Sequence, residues 1–201
     1  MPILSAGDPL PSPPRRLLVS GAVGSGKSTL AARIGSILQL PYTELDSLHH
    51  GAGWVPRPEF MDDVRRLAAS DRWVCEWQYP EARPVLAQRA DTIVFLMLPR
   101  RVSFGRVLIR TFRRRFPRRQ VLWNGNVEPP LRAIFTDPEH ILRWHRHSFR
   151  SNRARHAEVV GSPGLDDLMV VELRTAGDVE TWVSGPLARA ARASGGSQTT
   201  S

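Results

Sequence analysis

Apolar residues follow two rhythms along this chain. Short unbroken runs, such as Leu17-Leu18-Val19 and Ile93-Val94-Phe95-Leu96-Met97-Leu98, are too brief for helices and read as buried strands. Between such runs, apolar positions recur at intervals of three and four. Leu30, Ala31, Ile34, Ile37 and Leu38 trace one face of a helix in this way, and Leu40-Pro41 stops it. The pattern predicts strands at 16–20, 42–46, 73–77, 92–98 and 168–173. It predicts helices at 27–39, 58–69, 101–115, 138–155 and 178–187. Strands alternating with helices argue for a parallel sheet covered on both faces. Right-handed crossovers then gather the loops after the strands at one edge, where an open α/β sheet binds its ligands.

The two ends lack this rhythm. Residues 1–14 are rich in proline and predict a flexible arm, and 189–201, ending in Gly, Ser and Thr, predict a flexible tail. The stretch 15–188 shows no internal repeat and no linker, so it reads as one domain.

The first strand and the first helix are joined by Gly21-Ala22-Val23-Gly24-Ser25-Gly26-Lys27-Ser28-Thr29, a complete phosphate-binding loop in its proper strand–loop–helix setting. Gly21, Gly24 and Gly26 let the backbone wrap an anion, so that successive N–H groups and the helix N-terminus converge on it. Lys27, the only lysine in the chain, is placed to reach the β- and γ-phosphates, and Ser28 to offer its hydroxyl to Mg²⁺. Gly21, Gly24, Ser25, Gly26, Lys27, Ser28 and Thr29 are therefore the predicted nucleotide site, with ATP and Mg²⁺ as its ligands.

Composition narrows the setting. One cysteine, Cys75, excludes a disulfide framework and fits a reducing compartment. The apolar runs fall far short of a membrane span, and the N-terminus has neither a basic n-region nor an h-region, so a cytoplasmic enzyme with no membrane partner is expected. The net charge of +9 is concentrated in arginines at 100–119 and 143–155. Arginines interleaved with Phe112, Phe116, Trp123, Trp144 and Phe149 suit nucleic acid, yet arginines that close over phosphates need the same composition. The charge alone leaves both open.

Several residues outside the loop carry candidate chemistry. Asp46 closes the second predicted strand, as an acid beside Mg²⁺ or the acceptor, or else as a helix cap. Glu76, at the end of the third strand, is its rival for the Mg²⁺ shell. His49 and His50 lack the further convergent ligands that a zinc site needs, and His49 reads instead as an acceptor contact. Trp54 either walls an acceptor pocket or buries itself beneath a proline-bounded loop, and Tyr79 is a further acceptor-site candidate. Arg106, Arg110 and Arg113 share one helical face, as a phosphoryl clamp or as a solvated charge run.

Taken together, the phosphate loop, Leu45-Asp46-Ser47-Leu48-His49 with Gly53-Trp54-Val55-Pro56, Trp73-Val74 leading to Tyr79, the arginine helix and Leu122-Trp123-Asn124-Gly125-Asn126 with Glu128 form a set. From about Arg16 to Leu187 the chain resembles the adenylate- and shikimate-kinase-like P-loop kinases, and more closely the bacterial DNA topology modulation (FlaR-like) proteins. The resemblance implies a three-layer α/β P-loop NTPase fold with a five-stranded parallel sheet in the order 2-3-1-4-5. It also implies a short arginine-rich helical lid at about 106–136, in which Arg106 and Arg110 clamp the transferring phosphoryl group. Two positions depart from the pattern. Glu76-Trp77-Gln78-Tyr79 stands where an Asp-Gly-Asn-Tyr-like sequence is expected, and Met97 stands where relatives often carry an acid.

Three functions follow from these residues. The first is a kinase that moves the γ-phosphoryl group of ATP-Mg²⁺ to a small acceptor, with Lys27, Asp46, Arg106 and Arg110 catalytic and a nucleoside monophosphate as the first acceptor to test. The second is a nucleotide-regulated protein whose arginine-rich face docks on DNA, and the third a bare NTPase. A monomer and a homodimer fit the sequence equally.

Overall fold

A computed structural model of the chain describes residues 1–103, 105 and 138–196. Six strands form one wholly parallel sheet: β1 (Ile3–Leu4), β2 (Arg16–Gly21), β3 (Tyr42–Thr43), β4 (Trp73–Glu76), β5 (Thr92–Leu96) and β6 (Met169–Leu173). Their spatial order is β1-β6-β5-β2-β4-β3. Read from the β3 edge, the five strands expected from the sequence lie in the expected order. The sixth corrects the count.

That sixth strand comes from the segment read as a flexible arm. Ile3 pairs with Val170 and Leu4 with Val171, covering an edge of β6 that would otherwise be open. Leu4, Ala6 and Leu10 then pack on the core. Two residues are too few to show a strand period among so many prolines, which is why the sequence conceals it.

The alternation of each strand divides the core into two layers. Leu18, Trp73, Cys75, Ile93, Phe95 and Val170 point to one face. Leu17, Val19, Val74, Val94, Leu96 and Val171 point to the other. The first face is covered by α2 (Leu45–His49), α3 (Phe60–Ala69), α4 (Ala82–Ala87) and α5 (Pro138–Gly161). The second is covered by α1 (Lys27–Leu38) and by a C-terminal run of α6 (Ala176–Trp182), a π-helical turn (Val183–Leu187) and α7 (Ala188–Gly196). A π-helical turn absorbs Pro186 within this run. Ala190 and Ala191 consequently pack against the core, so the helix continues to Gly196 through residues expected to be flexible. Among the described residues no helix is long and apolar enough to cross a membrane.

Candidate active site

The central strand, β2, is flanked by β4 and β5 and runs directly into the phosphate loop. Gly24 and Gly26 adopt φ of 77° and 94°, the left-handed region that favours glycine. At Gly21 a side chain has no room: a Cβ there would collide with the Ser25 hydroxyl and lie 3.0 Å from Leu96 Cβ. The Ser25 N–H donates to the Ala22 carbonyl at 3.1 Å, closing the turn. Gly26 at the capping position of α1 has no side chain to cap the helix, which suits an anion at its N-terminus. Lys27 begins α1 half-buried, with Ser28 and Thr29 exposed beside it.

Ser28 and Glu76, both expected at Mg²⁺, meet through a residue the sequence did not single out. The Tyr42 hydroxyl donates to Glu76 Oε1 at 3.1 Å and lies close to the Ser28 side chain. Burial, followed by the nearby Glu76 and Glu44 carboxylates, pushes the Tyr42 phenol well above its ordinary range, so it stays protonated. Glu76 itself is 5% exposed. One buried carboxylate and one hydroxyl beside a phosphate loop suit Mg²⁺, which takes few protein ligands and completes its shell with phosphate and water. Among the described residues no three His, Cys, Asp or Glu side chains converge as metal ligands.

Asp46 sits differently from its expected place. The second strand ends at Thr43, and Asp46 lies in the first turn of α2, with Glu44 at the capping position. Its carboxylate does not cap the helix. Instead Oδ1 accepts from Gln78 Nε2 at 2.9 Å and from the Tyr79 hydroxyl at 2.6 Å. Burial and then the bond to Asp46 push the Tyr79 phenol far upward, so Tyr79 is the lasting donor. Tyr79 has φ 59° and Trp54 φ 63°, conformations that cost a non-glycine residue about 1 kcal/mol or more.

The histidines form an aromatic wall around this carboxylate. His49 stacks on Tyr79 with centroids 4.3 Å apart and meets Phe60 edge-on. Burial, then the neighbouring His50, lowers its pKa, so His49 is a neutral packing group. His50 links Tyr79 to the loop: its Nε2 lies 3.4 Å from the Tyr79 hydroxyl and its Nδ1 3.3 Å from the Trp54 carbonyl. Trp54 packs edge-on against His50, which reaches Asp46 only through Tyr79. Arg57 pins the loop through Asp63 at 3.0 Å and the Leu48 carbonyl at 3.2 Å.

The two departures from the expected pattern have separate explanations. Trp77 points away from the phosphate loop and into the core, edge-on to Phe95, with Nε1 donating to the Arg83 carbonyl at 3.1 Å. Met97 is met by Asn152, whose Nδ2 reaches the Leu96 carbonyl at 3.2 Å and Met97 Sδ at 3.5 Å. Asn152 is 3% exposed and also accepts from Ser20 Oγ at 2.9 Å. One turn earlier, Ser148 Oγ accepts from the Val23 N–H at 2.9 Å. Helix α5 is thereby fastened to the phosphate loop by Ser148 and Asn152, neither of which sequence reasoning identified. Uncharged polar residues at intervals of four within an arginine-rich helix were the available signal. Arg150 and Arg153 on the same helix are exposed, with Arg153 over the Phe149 ring at 5.5 Å. Arg106, Arg110 and the expected lid lie outside the described residues.

No protein-family model matches the chain, and no curated protein matches it. Solved structures do. A shikimate kinase from Bacteroides thetaiotaomicron is 14% identical, with a TM-score of 0.50 over 85% of this chain and 95% of its own. A gluconokinase from Sinorhizobium meliloti 1021 is 20% identical, with a TM-score of 0.47 over 95% and 99% of the two chains. The chain is thus similar in fold to that shikimate kinase, with a parallel sheet covered by helices on both faces.

Proposed function

We propose that the protein is a small-molecule kinase that uses ATP-Mg²⁺. The observation that carries this reading is Asp46, held by Gln78 and Tyr79 at the same sheet edge as a complete phosphate loop. An NTPase needs only the loop and a water. A carboxylate oriented by two donors within an aromatic wall suits a second substrate.

Lys27 and the loop N–H groups would bind the β- and γ-phosphates, and Ser28 and Glu76 would hold Mg²⁺. When bound, Mg²⁺ neutralises charge developing on the phosphate oxygens. Both bonds to Asp46 fall on Oδ1, leaving Oδ2 for the acceptor hydroxyl. The acceptor oxygen bonds to the γ-phosphorus as the bond to the β–γ bridging oxygen breaks. ADP leaves with that electron pair, and the hydroxyl proton passes to Asp46. Arg106 and Arg110 are proposed to close over the transferring group.

Release of ADP against a panel of nucleoside monophosphates, sugar acids and polyols tests the reading, with Lys27→Ala as the blank. Acceptor-dependent ADP release supports it; a slow release indifferent to every acceptor leaves a bare NTPase. The outward placement of Arg150 and Arg153 beside Phe149 favours a second reading, docking on nucleic acid. That reading requires DNA affinity with a log–log salt slope of several units. The closer resemblance to DNA topology modulation proteins bears only on this second reading.

A further inference from the structure

Between the loop after β4 and helix α5 lies a cavity of about 350 Å³. Tyr79 and Arg83 form one wall, His147, Ser151 and Arg155 the other, and Glu158 is the only carboxylate among its lining residues. Two guanidinium groups therefore face one small space. The Nε of Arg155 is buried and, among the described residues, has no hydrogen-bond partner. A buried charged donor without an acceptor is costly, and an oxyanion in the cavity would satisfy it. Burial, and after it the proximity of Arg83, lowers the Arg155 pKa, with Glu158 acting in the opposite direction. The guanidinium nevertheless keeps its charge at neutral pH. Two like charges thus line one space with a single carboxylate, Glu158, among its described lining residues.

Arg83 packs over an aromatic side chain. Its guanidinium lies 5.8 Å from the centroid of the Trp77 ring, and the Trp77 indole N–H holds its carbonyl at 3.1 Å. Trp77, bulky where glycine was expected, is the platform for this arginine.

The cavity also adjoins the proposed chemistry. Tyr79 on its wall is one of the two residues that donate to Asp46. On α5, Ser148 and Asn152 hold the phosphate-loop side, while Ser151 and Arg155 line the cavity within the same two turns. A ligand here lies between the carboxylate that would accept a proton and the helix that contacts the nucleotide loop.

We infer that this cavity is the acceptor pocket and that the acceptor carries an anionic group, a carboxylate or a phosphate, bound jointly by Arg155 and Arg83. The inference rests on the kinase reading for its chemistry, but not for the binding itself. The anionic group anchors the acceptor, and the end to be phosphorylated lies on the Tyr79 side, toward Asp46.

Titration calorimetry on the full chain separates the two. The probes are a nucleoside monophosphate and a sugar acid, each paired with its neutral counterpart, the nucleoside and the sugar alcohol. At least one anionic probe should bind, and its neutral counterpart should bind far more weakly. Arg155→Leu and Arg83→Leu should each weaken the anion about 10- to 100-fold while ATP affinity is unchanged. Arg155→Lys should fall between, because charge survives without the planar fork. Thermal unfolding establishes that each variant is folded, and the two leucine variants serve as independent tests. If the neutral probes bind as tightly, if neither leucine variant weakens the anion, or if no probe binds, the pocket assignment is wrong while the kinase reading stands. If an anion binds through both arginines but is never phosphorylated, the pocket stands and the kinase reading falls.

Discussion

The proposed nucleotide side and the proposed acceptor side of this site are built by different means. The first is a single run of residues, 21–29, whose work is done by backbone shape: glycines at left-handed φ, no room for a side chain at Gly21, and an uncapped helix end. The second is assembled from side chains on separate elements, with Asp46 from α2, Gln78 and Tyr79 after β4, and Arg155 from α5. Helix α5 is the shared member, touching the loop through Ser148 and the cavity through Ser151 and Arg155. A contiguous device should fail all at once, whereas a distributed one should fail in separable parts.

The sharpest break is on the nucleotide side. Lys27→Ala should lower turnover about 10³-fold or more while the protein stays folded, as steady-state ADP release and circular dichroism would report. Asp46→Asn should lower kcat about 10²- to 10³-fold and leave ATP affinity nearly unchanged, because it removes charge from the acceptor side alone. If Glu76→Gln behaves so and Asp46→Asn is silent, the two acids have exchanged roles. Asn152→Leu tests the fastening between the halves. It strands the Ser20 hydroxyl and the Leu96 carbonyl in the core and should cost about 1–3 kcal/mol in urea unfolding. Adding Ser20→Ala should recover part of that loss, because the buried hydroxyl is then gone.

The smallest effect concerns how α5 is held to the sheet. His156 Nε2 lies 2.8 Å from Glu172 Oε1, and Arg174 bonds the other carboxylate oxygen. Burial raises the Glu172 pKa, but the bonds to Arg174 and His156 outweigh it and the net shift is downward. A depressed carboxyl pKa stabilises the fold above the usual glutamate range and loses that effect as pH falls through the folded value. Glu172→Gln should therefore lower Tm at neutral pH, by no more than about 1 kcal/mol in equivalent stability, and the gap should close in acid. A gap that persists unchanged well below the carboxylate range would mean that packing, not charge, anchors α5 there.

These contrasts also explain what the sequence made legible. The strand–helix alternation and the phosphate loop were readable because each is written in consecutive residues with a fixed period or motif, whereas the sheet order followed only from the resemblance. Asp46 was found, but its role as a cap could be dismissed only when Gln78 and Tyr79 arrived from another strand. Asn152, Tyr42 and Arg83 gave no sign, because their meaning depends on partners 132, 34 and 6 residues away. Arg155 was one of many arginines until the fold turned it inward and left Arg150 and Arg153 exposed. The two-residue strand Ile3–Leu4 was hidden by the same lack of local pattern.

The central claim is that phosphate moves from ATP to a second molecule held beside Asp46. Phosphorus NMR on a reaction of wild-type protein, ATP-Mg²⁺ and an anionic acceptor tests it most directly. The account predicts a new phosphorylated acceptor signal that grows in equal amount with ADP and is absent with Asp46→Asn on the same timescale. ADP accompanied only by inorganic phosphate, at a rate indifferent to acceptor and to Asp46→Asn, would contradict it.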